Sequence, residues 1–130
     1  MIPTYEEMHR ALVERHGAAL QARFDAGRVA VCGLGGLGSN VAIALARAGV
    51  GHLHLMDFDL VDLSNLNRQQ YMADQLGLPK TQALADTLRR IAPYCAVETD
   101  TVRVTAENLG ELLEKDDIIC EAFDDAQAKA

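Results

Sequence analysis

A doubly wound α/β fold with a mostly parallel sheet is predicted by three features of this 130-residue chain. Short apolar runs alternate with helical patterns, as strand–helix–strand units require. The first run, Val29-Ala30-Val31, leads into Cys32-Gly33-Leu34-Gly35-Gly36-Leu37-Gly38-Ser39, where glycines 33, 35 and 38 keep the G-x-G-x-x-G spacing. Asp57 closes the second run, where a carboxylate meets a ribose in Rossmann-like nucleotide-binding folds.

Residues 4–26 read as one helix, an N-terminal element within 1–27 that precedes the sheet. Thr4 can cap it, Glu7 stands three residues on, and Glu6 and Glu7 suit the positive end of the dipole. Met8, Leu12, Leu20 and Phe24 recur at helical spacing, Gly17 interrupts the pattern and Gly27 ends it. The α/β domain occupies 28–130. Its first strand, 28–32, is apolar enough for the centre of a parallel sheet. A helix over 36–48 carries Leu37, Val41, Ala44, Leu45 and Ala48 on its expected inward face, and its small alanines allow close approach to the sheet. His52-Leu53-His54-Leu55-Met56-Asp57 alternates, so Leu53 and Leu55 face one side and His52 and His54 the other. These histidines are expected to be solvated or hydrogen-bonded, because the sequence places no third metal ligand beside them.

After a loop at 57–70 and an irregular stretch at 74–78, Pro79 suits the first turn of a helix reaching Ile91. Its inward residues are Ala83, Leu84, Leu88 and Ile91, and Pro93 stops it. A third strand is expected over 96–104, a helix capped by Thr105 over 105–113, and a turn at Lys115-Asp116-Asp117. A fourth strand follows over 118–121, and Asp124 or Asp125 starts another helix. Four strands leave apolar sheet surface uncovered. Residues 28–130 are therefore expected to be the N-terminal part of a longer domain, or to have that gap covered by a partner.

Composition narrows the function. Twelve basic and 19 acidic side chains give a net charge of −7. Nonspecific nucleic-acid binding rests on Lys and Arg, so no nucleic-acid partner is expected. Cys32, Cys95 and Cys120 form no C-x-x-C pair, which removes the zinc knuckle and the thioredoxin-type couple. They read as reduced, mostly buried thiols of a cytoplasmic protein. No signal peptide pattern and no apolar run approaching the length of a membrane span is present, so no membrane partner is expected.

The loops carry the chemistry. Four glycines in six residues are costly in chain entropy, which argues for a ligand at this turn. Gly35 lets backbone approach a phosphate, Gly38 lets the helix pack on the strand, and Gly36 adds a position that the dinucleotide fingerprint does not require. With Asp57 included, NAD and ATP fit equally well. Asp59 either caps a turn or lies near a metal. Asn65 and Arg68 lie three apart and can face the same way, and Arg68 offers a planar fork to phosphate. Lys80 begins a helix, where the dipole disfavours a cation unless an anion lies between. Asp124 lies past the fourth strand, as a helix cap or as a ligand for Mg²⁺.

Several segments occur together and in order: Gly33 to Ser39, Ala48-Gly49-Val50-Gly51, Asp57-Phe58-Asp59, Ser64-Asn65-Leu66-Asn67-Arg68-Gln69, Gly77-Leu78-Pro79-Lys80 and Ile91-Ala92-Pro93. In this order they resemble the ThiF-type, ubiquitin-activating-enzyme-like sulfur-carrier-protein adenylyltransferases. The ending Cys120-Glu121-Ala122-Phe123-Asp124-Asp125-Ala126 is most similar to the short bacterial form. The resemblance implies MgATP-dependent adenylylation of the C-terminal glycine carboxylate of a small ubiquitin-fold carrier ending in Gly-Gly, with release of pyrophosphate. Thiamine biosynthesis is the implied pathway and a cytoplasmic homodimer the implied assembly. ATP and Mg²⁺ are the implied cofactors, and no zinc is expected from this segment.

By the same resemblance, Gly33, Gly35, Gly36 and Gly38 cradle the nucleotide and Asp57 holds the ribose, with Asp59 beside it. Asn65, Arg68 and Lys80 meet the phosphates, and Gln69 belongs to the same nucleotide-binding set. Arg68, Lys80 and Asp124 are the catalytic set, and Asp124 is the Mg²⁺ ligand. Long family members bring an arginine from the partner subunit, near a Tyr-Ser-Arg-Gln stretch that this chain lacks; Arg10, Arg15 and Arg23 are the candidates here. Glu121-Ala122-Phe123-Asp124-Asp125 replaces the Asp-Cys-Thr-Asp-Asn of relatives. A molybdopterin-pathway or tRNA-modifying member of the same group remains open. An NAD-dependent oxidoreductase and a non-catalytic nucleotide-binding scaffold are the alternatives from other classes.

Overall fold

The computed structural model describes residues 1–123. Helices α1 (Tyr5–His16) and α2 (Ala18–Ala26) precede β1 (Arg28–Cys32), α3 (Gly36–Ala48) and β2 (His52–Met56). Helix α4 (Lys80–Ile91), β3 (Ala96–Asp100), α5 (Leu109–Leu112) and β4 (Ile118–Glu121) complete the order. Three parallel pairings arrange the strands as β3-β2-β1-β4. The switch of direction falls between β1 and β4, where doubly wound sheets open a crevice at the strands' carboxyl ends.

The N-terminal segment forms two helices where one was expected. Thr4 and Glu7 make the reciprocal capping box of α1, and the break falls at Gly17, whose φ of 95° and ψ of 152° few other residues adopt. The resulting bend turns Leu20 out to solvent and carries Gln21 into the interior. The Gln21 Nε2 donates to Asp25 (2.8 Å) and to the Gly49 carbonyl (3.0 Å), and its Oε1 meets His16 Nε2 at 2.6 Å. One buried amide thus ties both helices to the α3–β2 turn.

Val29, Val31, Leu53 and Leu55 form one face of the sheet and pack under Ala42, Ala46, Leu84 and Leu88 of α3 and α4. The face of α3 differs from expectation. Leu37, Ala44 and Ala48 are exposed, Val41 and Leu45 half-buried, and Gly38, Ser39, Ala42 and Ala46 lie inward. The face with the smallest side chains packs inward because a Cβ at Gly38 would lie 1.7 Å from the Gly33 carbonyl oxygen. Helix α4 matches the expected inward residues, with Ala83, Leu84 and Leu88 buried and Ile91 half-buried.

The second face holds a smaller cluster of Ala30, Cys32, Met56 and Val104. Here β3 stops at Asp100, short of the expected 104. The alternating Thr101–Val104 segment has the pattern of a strand, but Val104 buries itself against Cys32 and Met56 from a loop that crosses the sheet's carboxyl edge. Helix α5 is also shorter than expected. Thr105 and Asn108 exchange hydrogen bonds of 2.8 and 3.3 Å, and Asn108 Nδ2 also donates to the Arg103 carbonyl. Such local bonds compete with helix, so α5 begins only at Leu109. The helix expected from Asp124 or Asp125 lies outside the described residues.

Candidate functional site

A cavity of about 390 Å³ opens at the carboxyl ends of β1, β2 and β4, within the usual size range of small-molecule sites. Gly33, Leu34 and Gly35 form one wall, Asp57 and Asp59 the floor, and Lys80 one side. The glycine turn is shaped by close approach. Gly33 has a φ of 93°, and a Cβ there would lie 2.8 Å from the Ala122 backbone after β4. Its N–H donates to the Met56 carbonyl at 2.8 Å, joining the turn to β2.

Asp57 is buried, with both carboxylate oxygens oriented by backbone. One accepts from the Leu34 N–H (2.7 Å) and the other from the Asp59 N–H (2.8 Å). A carboxylate has about four acceptor positions, so each oxygen keeps room for a ligand hydroxyl. Tyr71, buried behind the turn, donates its hydroxyl to the Leu34 carbonyl at 2.6 Å. Burial, with Asp57 and Asp59 nearby, pushes its phenol far above the ordinary range, so it remains a donor.

Burial and the neighbouring Asp57 charge also raise Asp59 above the ordinary carboxylate range, while Lys80 and Arg103 partly offset them. Lys80 is 6% exposed, and its backbone N–H donates to the Asp59 carbonyl at 3.0 Å. No hydrogen bond or ion pair of its ammonium occurs among the described residues. A buried cation beside a cavity and two carboxylates is set to receive an anion. The N-terminus of α3 has no side-chain cap, so its free N–H groups add to this field.

The structure brings Gly33, Gly35, Asp57, Asp59 and Lys80 into the cavity and leaves Gly36, Gly38, Asn65, Arg68 and Gln69 off its lining. Gly36 and Gly38 belong to the first turn of α3. Arg68 is exposed and lies against Gly36, its Nη1 donating to the Ser64 carbonyl (3.2 Å) and Asn67 Oδ1 (3.1 Å). Asn65 caps a short 3-10 turn by accepting from the Asp62 N–H at 2.9 Å. Gln69 is buried in another direction, with its Oε1 unpartnered among the described residues, beside a second cavity bordered by Arg47 and Arg90. Asp124 lies outside the described residues.

The opposite wall was not legible in the sequence. Phe58, Arg103, Val104, Ala106 and Phe123 line it, and the Arg103 guanidinium stacks 5.2 Å from the Phe58 ring centroid. Reading 101–104 as strand concealed Arg103 and Val104, although their place after β3 puts them at the ligand-binding edge. Tyr71 follows the Arg68-Gln69-Gln70 run with no signal of its own in the sequence.

The ThiF family profile matches residues 8–130. A molybdopterin-synthase adenylyltransferase of Haemophilus influenzae is 37% identical over 110 residues, 84% of this chain and 45% of its own length. A tRNA threonylcarbamoyladenosine dehydratase of the same organism is 32% identical over 131 positions, 99% of this chain and 50% of that protein. The E. coli tRNA N6-threonylcarbamoyladenosine dehydratase in complex with ATP superposes with a TM-score of 0.90 at 29% identity, covering 99% of this chain and 55% of that one. The chain thus spans about half the length of these relatives.

Proposed function

This chain belongs to the ThiF family, and we propose that it supplies the nucleotide site of an ATP-dependent adenylyltransferase acting on the C-terminal glycine of a ubiquitin-fold sulfur carrier. The observation carrying this reading is the buried residue Lys80, which lines the cavity between the glycine turn and Asp57 and whose ammonium has no hydrogen bond or ion pair among the described residues. The complex of a close structural neighbour with ATP supports the choice of nucleotide.

In this mechanism Asp57 accepts the ribose hydroxyls, with its orientation already set by the Leu34 and Asp59 N–H groups. The turn at Gly33–Gly35 and the start of α3 receive phosphate oxygens. Phe58, Val104 and Phe123 offer apolar surface to the base. Lys80 holds the phosphates, and Arg68 reaches them after leaving the neutral Ser64 and Asn67 acceptors for a charge-assisted pair. Asn65 is a further phosphate contact, and Gln69 positions the Arg68 loop. The carrier carboxylate attacks the α-phosphorus, forming the acyl phosphate bond, and pyrophosphate leaves with the electrons of the broken bond. A glycine carboxylate is ionised at neutral pH, so no side chain need act as base. Positioning and charge stabilisation supply the rate.

Hard oxygen donors at Asp59 and Asp124 fit Mg²⁺, which when bound would neutralise charge on the phosphates. The working unit proposed is a cytoplasmic homodimer, with the exposed Arg10, Arg15 or Arg23 contributing across the interface. No helix among the described residues is long and apolar enough to cross a membrane.

The test is ATP–pyrophosphate exchange by the whole protein with a carrier ending in Gly-Gly. Arg68→Ala is expected to lower exchange about a hundredfold, with an unchanged melting temperature because Arg68 is exposed. No exchange with any carrier, or wild-type exchange by this variant, refutes the reading. Thiamine-pathway and molybdopterin-pathway carriers compared in the same assay assign the pathway. A tRNA-modifying role is the second reading, favoured by the alignment of the dehydratase along 99% of the chain. The net charge of −7 favours the carrier, and a tRNA-dependent exchange would reverse that choice. Stabilisation by NAD in place of ATP would recover the oxidoreductase alternative. ATP binding without exchange would point to the scaffold.

A further inference from the structure

His54 was expected to lack further metal ligands, but the sheet register supplies them. In the β2–β3 pairing His54 stands opposite Glu98, and Asp100 lies two residues further along β3 on the same face. This is the face opposite α3 and α4. We propose that His54, Glu98 and Asp100 form a divalent transition-metal site of the zinc class, outside the nucleotide cavity.

Three observations carry it. One ligand atom from each residue lies within 4.8 Å of the other two. Around an ion held at ~2.0–2.1 Å in tetrahedral geometry, ligand atoms stand about 3.3 Å apart, so small side-chain movements close the set. The second is the orientation of the imidazole. His54 Nδ1 meets Asp116 Oδ2 at 2.7 Å, with side chains 5% and 1% exposed, while Nε2 faces Asp100 Oδ2 at 2.6 Å. A metal-bound histidine ordinarily gives its other ring N–H to a carboxylate in this way. The third is independent of the cluster's internal bonds. Asp116, whose Oδ1 is buried without a hydrogen-bond partner among the described residues, lines a cavity of about 230 Å³ with His54 and Glu98. An unpaired buried carboxylate oxygen is costly, and a dication nearby offsets its charge.

Charge and chemistry agree. Glu98, Asp100 and Asp116 bring three negative charges to this face, against the single guanidinium of Arg28, whose 3.4 Å contact with Glu98 is half-exposed and easily given up. One imidazole with two carboxylates suits Zn²⁺ better than Mg²⁺, which prefers oxygen alone. Asp100 also links the two sites, because its backbone carbonyl accepts from the Asp57 N–H at 3.4 Å. An ion here would therefore brace the end of β3 from which the Arg103–Ala106 wall departs.

The experiment strips the chain with a chelator, then adds Zn²⁺, or Co²⁺ as a spectroscopic probe. One equivalent retained through gel filtration, with the ligand-field bands of a low-coordinate Co²⁺ ion, is expected. Glu98→Gln and Asp100→Asn alter exposed or half-exposed side chains, fold normally and weaken binding at least tenfold. Asp116→Asn weakens it about 10–100-fold. Asp59→Asn, Cys95→Ser and Cys120→Ser leave it unchanged, separating this site from the nucleotide cavity and from adventitious thiol binding. Absence of stoichiometric metal, or unchanged affinity in both Glu98→Gln and Asp100→Asn, overturns the proposal.

Discussion

At Gly38 an added methyl would lie 1.7 Å from the Gly33 carbonyl oxygen, a contact that backbone on both sides cannot relieve. Gly38→Ala is therefore expected to cost more than about 3 kcal/mol, beyond the ordinary range of overpacking, in urea unfolding. Gly77 isolates the conformational effect, because its φ is 86° and no atom lies within 4 Å of an added Cβ. Gly77→Ala should cost only about 1–2 kcal/mol. Asp59 gives a prediction of opposite sign. Its folded pKa is raised, so its charge opposes folding once pH exceeds that value, and this cost vanishes below the unfolded pKa, where both states are protonated. Asp59→Asn should thus melt higher than wild type at pH 7, by less than about 1 kcal/mol for an exposed group, and equal it near pH 3. The same variant should bind MgATP less tightly, since repulsion between Asp57 and Asp59 is what a cation relieves. Asp57 and Lys80 were legible in the sequence because each sits at an element boundary where its chemistry is out of place. Arg103 and Tyr71 were not, because only tertiary contacts bring them to the site.

The elements were legible wherever a single period governed them. Strands β1 and β4 and helix α3 fall at their expected bounds because glycine, a polar turn or an apolar run marks both ends. Errors arose where two signals overlapped. Gly17 stood inside a continuous helical pattern, and its cost to a helix, about 1 kcal/mol, is small beside the gain from burying Gln21 with its hydrogen bonds satisfied. Val102 and Val104 alternated as strand residues do, yet Val104 buries its side chain better from a loop. The break at Gly17 gives a prediction at this scale. Its φ and ψ fall in a region of order 1–3 kcal/mol above the allowed wells for other residues. Gly17→Ala should destabilise the chain by about that amount, although nothing lies within 4 Å of the new methyl. The His16–Gln21 bond should weaken with it, so amide exchange should rise in α1 and α2 and stay unchanged in α4.

In the whole molecule, the sheet order explains why residues from five segments meet. The order in which the parallel strands are added reverses between β1 and β4, which leaves the carboxyl ends of both strands open, and the glycine turn and the Ala122–Phe123 backbone converge there. That convergence was legible as an expectation of fold, since alternating strands and helices wind only one way. The covering of the second face was less legible, because it depends on short contacts from the 101–113 loop. At the β4 edge the cover is thin on both faces of the sheet. Ile118 and Ile119 of β4 are 59% and 49% exposed, while their β1 partners Val29 and Ala30 are buried. Among the described residues β4 pairs on one side only, and an edge strand carrying exposed isoleucines favours pairing with another chain. The isolated chain should therefore associate with rising concentration in sedimentation velocity. Ile119→Lys should shift it toward monomer, because a charge on the edge strand opposes pairing and Ile119 belongs to neither buried cluster. ATP binding by the variant should be unchanged, since Ile119 does not line the nucleotide cavity. A single monomeric species at every concentration in both proteins would mean that this edge is already protected in solution.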